Sequence, residues 1–195
     1  SAKIETILEC RDPRWLHVKD PFLYAQVNGD LRVGFCTHPY CWTSSNSGYT
    51  IRKQGAHAFA PPVFDFFPRG VTWDVAMSRV TCWLPVPQVG LFAEQPPMTM
   101  LFYDGGEAVR NLDEHKAAVK RPRGYSCEEI GGLAVAAGNG ISQLERLSVN
   151  LPLFVSPMGL GTSRYVDVLR TTEGYYAIWQ QSQPDHAQPL VMNFL

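Results

Sequence analysis

The run His17-Val18-Lys19-Asp20-Pro21-Phe22-Leu23-Tyr24-Ala25-Gln26 leads through Asn28-Gly29 into Leu31-Arg32-Val33-Gly34-Phe35-Cys36-Thr37. Both flanks are rich in residues that suit a pleated surface, and Asn-Gly readily takes the left-handed backbone a tight reversal needs. The pattern predicts a β-hairpin. Its layout returns near the end of the chain, where Arg164 to Arg170 and Tyr175 to Gln181 flank Glu173-Gly174. Between these hairpins, strands are expected over Val75 to Leu84, Thr99 to Tyr103, Ile130 to Ala136 and Leu151 to Val155. Pro61, Pro62, Pro85, Pro87, Pro96 and Pro97 bracket them and break any helix drawn through them. One segment differs: Glu107 to Lys120 sets Ala108, Val109, Leu112 and Val119 among charges, with Pro122 beyond, as in a short amphipathic helix or an excursion between strands. The fold class read from this is all-β, in a single domain over residues 1–195.

Composition narrows the function. A hydrophobic share of 45% argues against disorder, and a net charge of -1 argues against a nucleic-acid partner held by bulk electrostatics. No apolar run is long enough to span a bilayer as a helix, so no membrane partner is expected. Ser1 to Cys10 lack the basic start and apolar block of a signal peptide, which leaves a cytoplasmic protein or one exported with its signal removed. The five cysteines, Cys10, Cys36, Cys41, Cys82 and Cys127, are odd in number and irregular in spacing, so packed thiols are expected rather than a disulfide framework. A zinc site at Cys36-Thr37-His38-Pro39-Tyr40-Cys41 would need two further ligands, and no CxxC or HxxxH pair supplies them. No metal or cofactor is expected.

Three acids stand at equal intervals. Asp20, Asp74 and Glu128 are 54 residues apart, each behind a basic-aromatic lead-in such as Pro68-Arg69-Gly70-Val71-Thr72-Trp73. A repeat of about that length points to an array of antiparallel sheets, with blades of ~40–50 residues in a β-propeller. The chain has room for about four or five such blades. Innermost strands are expected near Asp20, Asp74, Glu128 and Asp167, although the last step is only 39 residues and the array is short or incomplete. A β-sandwich is the alternative.

Equivalent positions in an array share a face, so the three acids are candidates for one carboxylate-lined site. Trp73-Asp74 and Cys127-Glu128 each set a carboxyl beside a large or soft apolar residue, an environment that favours the protonated form a general acid requires. Each also has a plain structural reading as a turn or capping acid. Glu128 and Glu129 cannot both face one side of an extended segment; the interval selects Glu128, while Ile130-Gly131-Gly132 could shift the register toward Glu129. Tyr103-Asp104-Gly105-Gly106-Glu107 reads as an Asp-Gly turn. No GxSxG, GxGxxG or phosphate loop is present. His38, Tyr40, Trp42, Trp73, Arg123, Trp179 and Gln181 are candidates for binding a ligand, since aromatic faces stack on sugars while amides and guanidinium groups meet hydroxyls.

In these residues the chain resembles the five-bladed β-propeller glycoside hydrolases, the superfamily of arabinanases, xylosidases and fructosidases. The order Asp20, Asp74, Glu128 is similar to that superfamily's general base, orienting acid and general acid, and Lys19-Asp20-Pro21-Phe22 looks like its Asp-Pro strand start. The resemblance implies a carbohydrate partner and hydrolysis of a glycosidic bond. Glu128 would protonate the leaving oxygen, Asp20 would activate water or attack the anomeric carbon, and Asp74 would orient the acid and help keep it protonated. A lectin-like module that binds sugar without chemistry is the alternative.

Overall fold

The computed structural model describes residues 4–9, 11–12, 18–37, 47–106, 129–158, 161–185 and 187–195. Among these, strands dominate and no α-helix forms; the single helical element is a short 3-10 turn at Gly90–Phe92. All sheets are antiparallel, so the protein is all-β. The expected helix at Glu107 to Lys120 lies outside the described residues. Two compact units are formed, Ser1–Pro68 and Arg69–Leu195.

The first unit is a four-stranded sheet in chain order: β1 (Val18–Ala25), β2 (Leu31–Thr37), β3 (Ser47–Arg52) and β4 (Val63–Phe64). Its hairpin turns where Asn28-Gly29 predicts, with Gly29 at φ +83° and the Asp30 N–H donating to Asn28 Oδ1 at 3.1 Å. Along β2 nearly every residue is buried, including the charged Arg32. The Arg32 guanidinium lies 5.4 Å from the Tyr24 ring centre and 5.6 Å from that of Tyr49, so aromatic faces border the buried cation.

The second unit holds two sheets. One runs in order β5 (Met77–Pro85), β6 (Met98–Gly106), β7 (Ile130–Ala137) and β8 (Ser142–Arg146); the other has β10 (Tyr175–Gln181) between β9 (Ser163–Arg170) and β11 (Leu190–Phe194). β9 packs on β5, β6 and β7. Val80, Trp83, Leu101, Tyr103, Ala134 and Ala136 are all but fully buried and make the core of the larger sheet.

Three expectations need correction. Asp104-Gly105-Gly106 is the end of strand β6 rather than a turn. Gly105, with Gly132 on β7, clears space for rings: a Cβ on Gly105 would come within 2.4 Å of the Trp73 ring, and one on Gly132 within 2.4 Å of Tyr103. Leu151 to Val155 forms no strand; Phe154 makes one bridge to Gly131, and Leu151, Leu153 and Val155 are exposed. Pro152 removes an amide donor from that run.

The 54-residue interval does not mark equivalent places either. Asp20 lies inside β1 and Asp74 three residues before β5, each the first strand of a sheet. Glu128 lies outside the described residues, and the final sheet begins only at Ser163.

Candidate functional site

Among the described residues, Asp20 is the candidate acid that meets solvent. β1 bulges between Lys19 and Phe22, and Asp20 there adopts φ +49°, a left-handed backbone that a non-glycine residue occupies at a cost of roughly 1–3 kcal/mol. Pro21 fixes the next φ and withholds a donor from the ladder. The Asp20 side chain keeps 32% of its surface exposed, with Lys19 Nζ 3.8 Å away. The strained bulge re-aims a carboxylate that a regular strand would place elsewhere.

Asp74 is treated in the opposite way. It is 1% exposed; Oδ2 accepts from Arg146 Nε at 2.9 Å and from the Tyr103 hydroxyl at 3.1 Å. Oδ1 lies against Gly70, where a Cβ would stand 1.6 Å from it. Arg146 also donates to Ser78 Oγ at 3.0 Å, tying β8 to the first strand of its sheet. Burial, then the neighbouring Asp74 charge, pushes the Tyr103 phenol above its ordinary range, so it remains a donor. Trp73 stacks on Tyr103 with ring centres 5.5 Å apart and donates from Nε1 to the Ser148 carbonyl at 3.0 Å.

A second buried network joins both sheets of this unit. Arg79 Nη2 donates to Asp104 Oδ2 at 2.6 Å and to Glu129 Oε1 at 3.0 Å. Arg164 pairs with the other Glu129 oxygen and donates from Nε to Gln180 Oε1 at 2.5 Å. Asp104 is also met by the Tyr165 amide at 3.0 Å. Tyr165 has φ +58°, and the Arg79 guanidinium lies 4.2 Å from its ring centre. Two cations balance two carboxylates here, the condition under which buried charge is tolerated. Burial pushes the Asp104 carboxyl up, and Arg79 offsets part of that.

Of the other expected residues, His38, Tyr40, Trp42, Arg123 and Glu128 lie outside the described residues. Trp179 and Gln181 come together on β10, with Trp179 Nε1 donating to Gln181 Oε1 at 2.9 Å, and both line a cavity rather than a carboxylate cluster. Sequence reasoning missed Arg79, Asp104, Arg146, Arg164 and Tyr165. One signal was available: Arg79 interrupts an otherwise strand-like run at Met77 to Leu84, and a cation there needs a buried partner. Among the described residues, no group of three or more His, Cys, Asp or Glu is placed to hold a metal ion. No helix there is long and apolar enough to cross a membrane.

These features define an all-β protein with strained or buried acids in and beside its strands. Solved structures share the chain's fold, two of them over nearly its whole length. One, "unknown function protein" from Dyadobacter fermentans DSM 18053, matches 100% of this chain and 54% of its own length, at 13% identity and a TM-score of 0.61. The other, a thermostable family-43 glycoside hydrolase, matches 92% of this chain and 55% of its own, at 11% identity and a TM-score of 0.58. The chain therefore spans about half the length of each, and its fold is glycoside hydrolase-like. No protein-family model matches it, and no curated protein does.

Proposed function

We propose that the protein is a glycoside hydrolase whose sheets are blades of a propeller-like array. Asp20, Asp74 and Glu128 are its functional carboxylates. The observation that carries this reading is Asp20: a solvent-reaching carboxylate in a left-handed bulge, within a fold shared with a family-43 glycoside hydrolase. Asp20 activates water or attacks the anomeric carbon, and Glu128 protonates the departing oxygen. Asp74, buried and paired with Arg146, touches no substrate; it acts by fixing Tyr103 and Arg146 rather than by like-charge repulsion.

The test is release of 4-nitrophenol from a panel of aryl pentosides and fructosides. Asp20→Asn should lower kcat by ~10²–10⁴-fold with the fold intact by circular dichroism. Full turnover in that variant would remove Asp20 from the role. Glu128→Gln should cost little on these 4-nitrophenyl substrates, whose leaving group needs no proton, and far more on an unactivated oligosaccharide. A non-catalytic carbohydrate-binding module is the second reading, favoured by how Asp74 and Glu129 are committed to arginines. It predicts glycan binding that survives replacement of all three carboxylates, with no reducing sugar released.

A further inference from the structure

The two sheets of the second unit meet along one strand only. Among the described residues, β9 packs on β5, β6 and β7, whereas β10 and β11 make no close approach to them. The sheets therefore splay, and a cavity of about 520 Å³ opens between them. Leu84, Met100 and Phe102 line it from the larger sheet, Ala177 and Trp179 from β10, and Phe154 from the segment after β8. Met100, Phe102, Phe154, Ala177 and Trp179 are each only partly buried, so water reaches an almost wholly apolar lining.

We propose that this wedge binds a neutral, apolar, ring-bearing small molecule, at a site separate from the carboxylates and independent of the glycosidase reading. Size comes first: the volume falls within the ~300–1,000 Å³ of small-molecule sites and is more than three times the ~150 Å³ cavity that accepts one benzene. The occupant is thus of two to three rings. Chemistry comes second. Two of the polar side chains at the margin are already engaged, with Trp179 Nε1 donating to Gln181 Oε1 at 2.9 Å and Ser156 Oγ to the Ser182 carbonyl at 2.8 Å. A sugar or an ion would lose its water here and gain few partners, whereas an apolar ring would only release water from apolar walls. Flat Phe102, Phe154 and Trp179 rings and the pliant Met100 thioether suit an aromatic guest.

The test uses N-phenyl-1-naphthylamine, a neutral probe that fluoresces when shielded from water, with ¹³C-methyl methionine spectra read in parallel. The Met100 signal is assigned by its loss in Met100→Leu. Saturable one-to-one binding in the micromolar range is expected, with the Met100 methyl shifting in proportion to occupancy. A glycoside at the same concentration should leave that methyl unmoved. Ala177→Trp and Val168→Phe each fill the wedge and should weaken the probe by ~10-fold or more; two variants guard against one failing to fold. Absence of saturable binding, an unmoved Met100 methyl at saturation, or undiminished affinity in the folded filling variants would each overturn the proposal. Loss or retention of glycoside turnover bears on none of these readings.

Discussion

Asp30 in the first unit and Asp104 in the second are both nearly covered, at 5% and 0% exposure, yet their surroundings act on them in opposite directions. The Lys53 ammonium, 2.8 Å from Asp30, and the Gln54 amide, 2.9 Å away, hold its carboxyl below the ordinary range. Lys53 itself stays 72% exposed, so the pair forms where water still solvates one partner. Asp104 has a guanidinium at 2.6 Å and the Tyr165 amide at 3.0 Å, but full enclosure dominates and its carboxyl is pushed up. A close cation does not by itself make an ionised acid comfortable; the loss of water around the pair decides the sign.

The strongest way to break this contrast is to remove the shared cation. Arg79→Ala leaves Asp104 and Glu129 buried with less positive charge between them, and it uncovers the Tyr165 ring. Breaking a buried pair by deleting one partner costs about 3–5 kcal/mol. Urea denaturation should show a loss of that size. Lys53→Ala in the first unit removes a largely exposed partner and should cost far less. Equal losses would mean that burial does not separate the two sites.

A smaller effect follows from pH. Asp104's folded value lies above the unfolded 3.8, so the folded state holds its proton more tightly. Stability from this group is present below pH 3.8 and is lost as pH rises through the folded value. Asp30 has the opposite sign: its contribution is present above pH 3.8 and is lost as pH falls through its lowered value. Stability measured in urea across this range should lose its downward component in Asp104→Asn and its acid-side fall in Asp30→Asn. Identical pH profiles for the two variants would sink the contrast.

Much of the fold was legible because local chemistry and tertiary structure agree in the hairpins. Asn28-Gly29 turns as its backbone preferences require, and Tyr175 to Gln181 is a strand with the bounds read from sequence. The failures occur where packing overrides local preference. Gly105 and Gly106 read as turn residues, yet they lie in a strand, and the Trp73 ring needs the space a side chain on Gly105 would take. β8 was invisible because Ser142-Gln143-Leu144-Glu145-Arg146 is a polar edge, held by pairing with β7 rather than by hydrophobic alternation. The interval from Asp20 to Asp74 joins a residue inside β1 to one ahead of β5, a difference that no spacing between residues reveals. The buried arginines were hidden for another reason: their partners are distant in sequence, as with Arg146 and Asp74 or Arg79 and Glu129.

The mildest comparison uses two thiols as reporters, one per unit. Cys36 in β2 is 1% exposed and Cys82 in β5 is 2% exposed, and both carry reduced thiols. Burial, followed by the Asp167 charge, pushes the Cys82 thiol up to about 12, so the folded protein holds almost no thiolate there at pH 8. Each thiol reacts only when its surroundings open, and labelling therefore reads local opening. With Cys10, Cys41 and Cys127 replaced by serine, dithionitrobenzoate should label Cys36 before Cys82, because the Arg79 network ties the strand carrying Cys82 to its neighbours. Arg79→Ala should then speed Cys82 labelling more than that of Cys36. If Cys82 reacts first in the unsubstituted network, or if Arg79→Ala leaves its rate unchanged, the network does not restrain opening of β5, and its charges serve only to neutralise one another.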